Sequence, residues 1–158
     1  MKHYVCGDTT KQVIITSESW RSYVNDNKRF KPILRKTRKR KKVRRVTADK
    51  GFDSESNHRY AHKTGAKSII PLRYRTSMRK TKGYYRRKLR RYFPKKKYNR
   101  RVIIETINSV EKRKFGDTLK SRRLKMQRRE MTTTDIVYNI HRYMNKALSV
   151  LIGFLQSL

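Results

Sequence analysis

At 158 residues and 35% apolar composition, the chain has the length for one domain with a modest core. Its 45 Lys and Arg against 11 Asp and Glu give a formal net charge of +34, a field that attracts polyanions and releases their counterions on contact, so nucleic acid is the expected partner. The longest apolar stretch, "ALSVLIGFL" at 147–155, is about half of the ~20 residues a spanning helix needs, the polar opening "MKHYVCGDTTK" leaves no room for a secretory signal, and the single cysteine, Cys6, fits a reducing cytoplasm.

In chain order, "KHYVCGD" alternates and "QVIIT" is β-branched, with the polar "TTK" between them, which predicts a hairpin within 1–16. "NDNKRFKPILRKT" puts Phe30, Ile33 and Leu34 on one side of a short helix, with Pro32 expected near its first turn. The run "RKTRKRKKVRR" at 35–45 has nine bases in eleven positions and reads as a charged linker or a groove wall. "VRRVTAD" is a strand and "SNHRYAHKTG" a helix that Asp53 or Ser54 can cap, with "AKSIIPLR" a second strand. Strand, helix, strand over 43–72 is the pattern of a parallel crossover.

Residues 73–101 hold 15 Lys or Arg and no acid, with Tyr74, Tyr84, Tyr85, Tyr92, Phe93 and Tyr98 interleaved. Interleaved aromatics add stacking surface that a solubilising run does not need. Contact with the phosphate backbone is the expectation, with Arg86, Arg87, Lys88, Arg90 and Arg91 as candidate DNA contacts. The basic insertion is placed at about 73–97. A C-terminal helix at about 132–156 is predicted from three threonines and the helical recurrence of Ile136, Val137, Ile140, Tyr143, Met144, Ala147, Leu148, Leu151 and Ile152, which are expected in the core.

Three carboxylates stand out in so basic a chain. Asp8 ends the first strand and Asp49 the "VRRVTAD" strand. On a helix, Tyr98, Arg101, Glu105, Asn108 and Lys112 recur at steps of three and four and form one polar stripe, opposite Ile103, Ile107 and Val110. A plain Arg101–Glu105 ion pair, worth ~0.3–0.5 kcal/mol, explains one pair of that stripe and not the rest. Acids at neighbouring strand ends can converge at a sheet edge with a third from a helix. Their mutual repulsion is relieved by two divalent cations, the recurring arrangement for phosphodiester chemistry, for which oxygen ligands favour Mg²⁺ or Mn²⁺.

"YNRRVIIETINSVEK" resembles, position for position, the Y-(2)-R-(3)-E-(6)-K signature of DDE transposases of prokaryotic insertion sequences, on Tyr98, Arg101, Glu105 and Lys112. "VTADKGFDSESNH" is similar to the segment around the second catalytic aspartate of that superfamily and "KHYVCGDTTKQVII" to that around the first, with "NDNKRFKPIL" between them. The resemblance implies a ribonuclease H-like fold, a mixed sheet with flanking helices, in a single catalytic domain over 1–158. It implies that Asp8, Asp49 and Glu105 hold two Mg²⁺ or Mn²⁺ ions, and that the activity is metal-dependent cleavage and strand transfer of double-stranded DNA, both transposon ends and target. Tyr98, Arg101 and Lys112 would contact DNA near the transposon end, in a synaptic complex that a homodimer would form. Two departures accompany it: Asn25 precedes Asp26 where a His often stands, and seven residues precede Asp8 where relatives usually carry an end-recognition region, so a truncated reading frame is expected.

The rival reading is a non-catalytic basic nucleic-acid binder, such as a decayed transposase fragment or a ribosome-associated protein. His58 and His62 have the i, i+4 spacing of zinc ligands but lack a third, and solvated or phosphate-facing histidines are expected. Cys6 reads as a small buried thiol and Trp20 as a core-edge residue.

Overall fold

The computed structural model describes residues 1–21, 23–73 and 81–157. Tyr74 and the rest of 74–80 in the basic insertion lie outside the described residues. By its contacts the chain divides into two compact units, Met1–Trp20 with Ile103–Leu158, and Arg21–Val102. The architecture is mixed α/β, and among the described residues the strands form two two-stranded sheets where one mixed sheet was expected.

In the first unit, β1 (Lys2–Asp8) pairs antiparallel with β2 (Val13–Trp20). The ladder runs from Lys2 opposite Trp20 to Cys6 opposite Thr16, then slips so that Gly7 faces Ile14 and Asp8 faces Val13. Ile15 is thereby the extra residue of a bulge, a local kink in the strand. Two helices pack on this hairpin, α5 (Val102–Phe115, of which Ile103 onward belongs to this unit) and α6 (Leu124–Leu155). Ile14, Ile107 and Tyr138 are the buried core, with Val5, Ile103, Ile104 and Val110 around them. The expected apolar side of α5 is therefore the packed side.

α6 begins eight positions before the predicted start, with Arg123 at its N-cap in place of a threonine. Its docking is polar. The Asn139 amide donates to the Ile14 carbonyl at 2.8 Å and accepts from the Ile14 N–H at 2.8 Å, continuing the ladder at the bulged edge, and the Tyr138 hydroxyl donates to the Gln12 carbonyl at 3.0 Å. Only Asp135 and Tyr138 of α6 are buried. Ile136, Val137, Ile140, Tyr143, Met144, Leu148, Leu151 and Ile152 are exposed, against the expectation of core. Two causes act. Asp135, Tyr138 and Asn139 take the hairpin side, which leaves Ile136, Val137 and Ile140 on the other faces of the same turns. Tyr143 onward lies toward the end of a helix of 32 residues, about 48 Å at 1.5 Å per residue, against about 27 Å for a strand of 8 residues. Among the described residues no helix is long and apolar enough to cross a membrane.

In the second unit, α1 (Asn27–Arg40) buries Phe30, Ile33, Leu34 and Thr37. It takes in the basic run up to Arg40, so residues 35–40 are helix and not linker. Arg38, Lys39 and Arg40 occupy the last turn, where cations offset the negative end of the helix dipole. Pro32 lies in the second turn, not the first. β3 (Arg45–Thr47) and β4 (Lys67–Ile69) pair in parallel, with α2 (Glu55–Lys63) as the crossover. Ser54 caps α2 by accepting from the Asn57 N–H at 3.1 Å. Phe30, Leu34, Ala61 and Ile70 form the core, with Val43, Val46, Ala48, Phe52 and Tyr60 packed around it. The basic segment folds into α3 (Tyr84–Arg91) and the short α4 (Lys95–Tyr98).

Candidate functional site

Asp8 closes β1 and is partly buried. Its Oδ1 accepts from the backbone N–H of Thr10 at 2.7 Å and of Lys11 at 3.2 Å, so the carboxylate also shapes the hairpin turn. Gly7 brings this strand end against α5. A Cβ at Gly7 would stand 2.8 Å from Ile104 Cδ1, and 3.2 Å from both Ile107 Cδ1 and the Val13 carbonyl. Glu105, exposed in the first turn of α5, is the next residue after Ile104, so one unit supplies two of the three acids from adjoining elements. Gly7→Val should lower the thermal midpoint, by overpacking of about 1–3 kcal/mol, in a calorimetric melt.

Asp49 belongs to the other unit. The strand stops at Thr47, and Asp49 is the exposed residue before a short 3₁₀ turn at Lys50–Phe52. Arg101 Nη1 lies 2.7 Å from Asp49 Oδ1, an ion pair that helical spacing alone does not predict. The Arg101 guanidinium also sits 5.7 Å from the centre of the Tyr98 ring, which packs edge-on to Phe93 at 5.2 Å. Tyr98, Arg101 and Glu105 do not share one helix: Tyr98 ends α4, Arg101 lies in a 3₁₀ turn at Asn99–Arg101, and Glu105 is in α5. Lys112 is exposed in the last turn of α5. Among the described residues no group of three or more His, Cys, Asp or Glu stands ready to hold a metal ion.

The basic segment is sorted by packing. Arg86 turns inward, and its Nε and Nη2 donate to the two oxygens of buried Asp53 at 3.0 and 2.9 Å, a bidentate geometry among the stronger hydrogen-bonded pairs. The Arg73 N–H donates to Asp53 at 2.9 Å, and Nε2 of the fully buried His58 lies 3.5 Å away, its Nδ1 being 2.7 Å from the Ser68 hydroxyl. Burial alone would push the Asp53 carboxyl up. His58, Arg86 and the Arg73 N–H outweigh it and hold the group below its ordinary 3.8.

Glu55 accepts from the N–H groups of Tyr85 and Arg86 at 3.2 Å each, at the positive end of α3. Gly83, at φ +97°, leaves the space that this carboxylate fills. His62 stacks on Tyr85 at 4.2 Å. His58 is thus an internal group and not the solvated or phosphate-facing histidine expected, whereas His62 is half-buried. On the outer side, Arg87, Lys88 and Arg91 are exposed, whereas Arg90 is partly buried.

A family model described as transposase DDE domain matches residues 2–140. The chain belongs to the DDE transposase family. The matched span contains Asp8, Asp49, Glu105 and the Tyr98, Arg101 and Lys112 positions of this transposase domain. No curated protein and no solved structure matches it.

Sequence reasoning missed two acid clusters in this DDE chain. One is Asp53 and Glu55, which anchor α3. The other joins His3, Glu111 and Asp135: His3 Nδ1 lies 2.8 Å from the Ser19 hydroxyl and Nε2 3.0 Å from Asp135 Oδ1, while the Ser17 hydroxyl donates to Asp135 Oδ2. Glu111 is buried beside them, and burial, together with the charge of Asp135, pushes its carboxyl up to about 7. The signal for Glu111 was there to read, since it stands four residues after Ile107 and eight after Ile103 on the apolar side of α5. Cys6 is half-buried. Trp20 donates from its indole N–H to Glu18 at 3.1 Å with the Arg128 guanidinium 5.4 Å above its ring.

Proposed function

We propose that this chain is the catalytic part of a transposase that cuts double-stranded DNA at the ends of an insertion sequence and joins the freed end to target DNA. The observation that carries the reading is the family match over 2–140, with three acids in family order in a chain of net charge +34. In this reading the hairpin and the β3–α2–β4 crossover are parts of a ribonuclease H-like catalytic domain, and a homodimer brings two DNA ends together. The donor set fits hard cations, because three carboxylates offer only oxygen and each reaches solvent.

Asp8, Asp49 and Glu105 would hold two Mg²⁺ or Mn²⁺ ions, which when bound supply charge stabilisation to an in-line displacement at phosphorus. Arg101, paired with Asp49 at 2.7 Å, would orient that carboxylate and could pass to a phosphate when DNA arrives. Lys112 on α5 and Arg87, Lys88 and Arg91 on α3 supply phosphate contacts that position the duplex without reading its sequence.

The test is nicking of supercoiled plasmid in Mg²⁺ or Mn²⁺, with DNA binding followed in parallel. Asp49→Asn and Glu105→Gln should reduce nicking to background while binding is kept or tightened. Equal nicking by wild type and both variants would sink the catalytic reading in favour of a basic binder. Asp8→Asn keeps an oxygen acceptor for the turn and removes the charge, so loss of nicking in a stably folded variant assigns Asp8 to metal. Binding should weaken by roughly tenfold or more for every few phosphate contacts between 50 and 200 mM salt.

A further inference from the structure

We propose that the outer face of α3 is a binding site for an unpaired DNA strand, a proposal that rests on the nucleic-acid reading above and specifies its form. Tyr84, Arg87, Lys88 and Arg91 recur at steps of three, four and seven, so they share one face of α3, and Tyr92 follows at its extended C-cap. With Gly83 they line an open pocket of about 630 Å³, within the range of pockets that hold small ligands. The two rings at its ends are 69% and 76% exposed, and eight residues at 1.5 Å separate them by about 12 Å along the axis. Three cations lie between them.

Phosphate contact alone uses the cations and leaves the rings without a purpose. A duplex keeps its base faces stacked inside, whereas an unpaired strand presents them to aromatic side chains, at little cost in sequence selectivity. Aromatic ends with a cationic middle therefore match a single strand, its phosphates on Arg87, Lys88 and Arg91 and its bases on Tyr84 and Tyr92. The inner face holds this arrangement still. Arg86 is bound to Asp53, the N-terminus of α3 to Glu55, and Tyr85 to His62. Tyr85 in turn supports Tyr84 edge-on at 5.2 Å.

The experiment is fluorescence anisotropy with labelled oligothymidylate and with a duplex of equal length, on the full chain. The double variant Tyr84→Leu, Tyr92→Leu keeps charge and apolar bulk and should lose roughly tenfold in single-strand affinity for each ring, with duplex affinity changed less than this. Tyr84→Phe with Tyr92→Phe keeps both rings and should bind the single strand as wild type does. Equal losses on both probes, or no loss on the single strand, would overturn the proposal. Arg87→Gln, Lys88→Gln and Arg91→Gln together should weaken both probes. If wild type binds neither probe in a salt-dependent manner, the nucleic-acid reading fails as a whole. Tight duplex binding with an unaffected Leu variant removes only the single-strand site.

Discussion

Replacing Asp53 by Ala should cost the Arg21–Val102 unit about 3–5 kcal/mol, the range for breaking a buried ion pair by removal of one partner, with the lower end expected because Arg86 keeps 22% of its side chain exposed. The carboxylate bonds the Arg86 guanidinium twice and the Arg73 N–H once, beside a fully buried histidine. Its removal leaves Arg86 without that anion and frees α3 from one of its two acidic anchors. Urea unfolding reads the stability, and hydrogen exchange at Tyr84–Arg91 reads the release of α3. DNA affinity supplies a test of sign. Asp53→Asn makes the chain more positive, so electrostatics alone predicts tighter binding, whereas loss of α3 placement predicts weaker binding. An Asp53→Ala variant with unchanged unfolding midpoint and unchanged exchange in α3 would show that the pair holds nothing in place. Because the Asp53 carboxyl is held below its ordinary 3.8, its contribution is present above that pH and is lost as pH falls through the lower folded-state value.

Glu111→Gln should remove the pH dependence that the buried carboxyl imposes on the hairpin–helix unit. Burial first, then the charge of Asp135 and its hydrogen bond, raise this group from 4.5 to about 7, with His3 acting in the opposite direction. The folded state therefore binds more protons than the unfolded chain between those two values. Stability falls as pH rises through that window, and the penalty is complete above it. Glutamine keeps the shape and removes the titration. The melting temperature of the variant should exceed that of wild type above about pH 7 and lose that advantage below about pH 4.5. Parallel melting curves for the two proteins across this window would show that Glu111 does not titrate in it.

Local features of the chain were legible because they rest on local physics. Alternation in "KHYVCGD" and β-branching in "QVIIT" lead to the hairpin, Ser54 to the N-cap of α2, and the apolar steps of 43–72 to the parallel pair around it. Spacing also put Ile107 on the buried side of α5 and Glu105 on its exposed side. The order of the three acids and the Tyr98–Lys112 signature pointed to the family that matches 2–140. Net charge pointed to polyanions, since it needs no structure to act at a distance.

Tertiary structure decided what identical side chains do. Arg86 and Arg87 are neighbours of the same chemistry, and their surroundings separate them: Arg86 bonds the buried Asp53 twice, whereas Arg87, exposed on the outer face, donates to the Thr81 carbonyl at 2.8 Å. Arg101 meets Asp49, a partner from 52 positions back that helical spacing does not reveal, and it sits in a 3₁₀ turn before α5. Periodicity also promised a buried α6, yet the hairpin covers the side that carries Asp135, Tyr138 and Asn139, leaves Ile136, Val137 and Ile140 outside, and is shorter than the helix. Spacing sets which residues share a face; which face finds a partner, and which of many cations finds one of few acids, is a property of contacts distant in sequence that no local pattern carries.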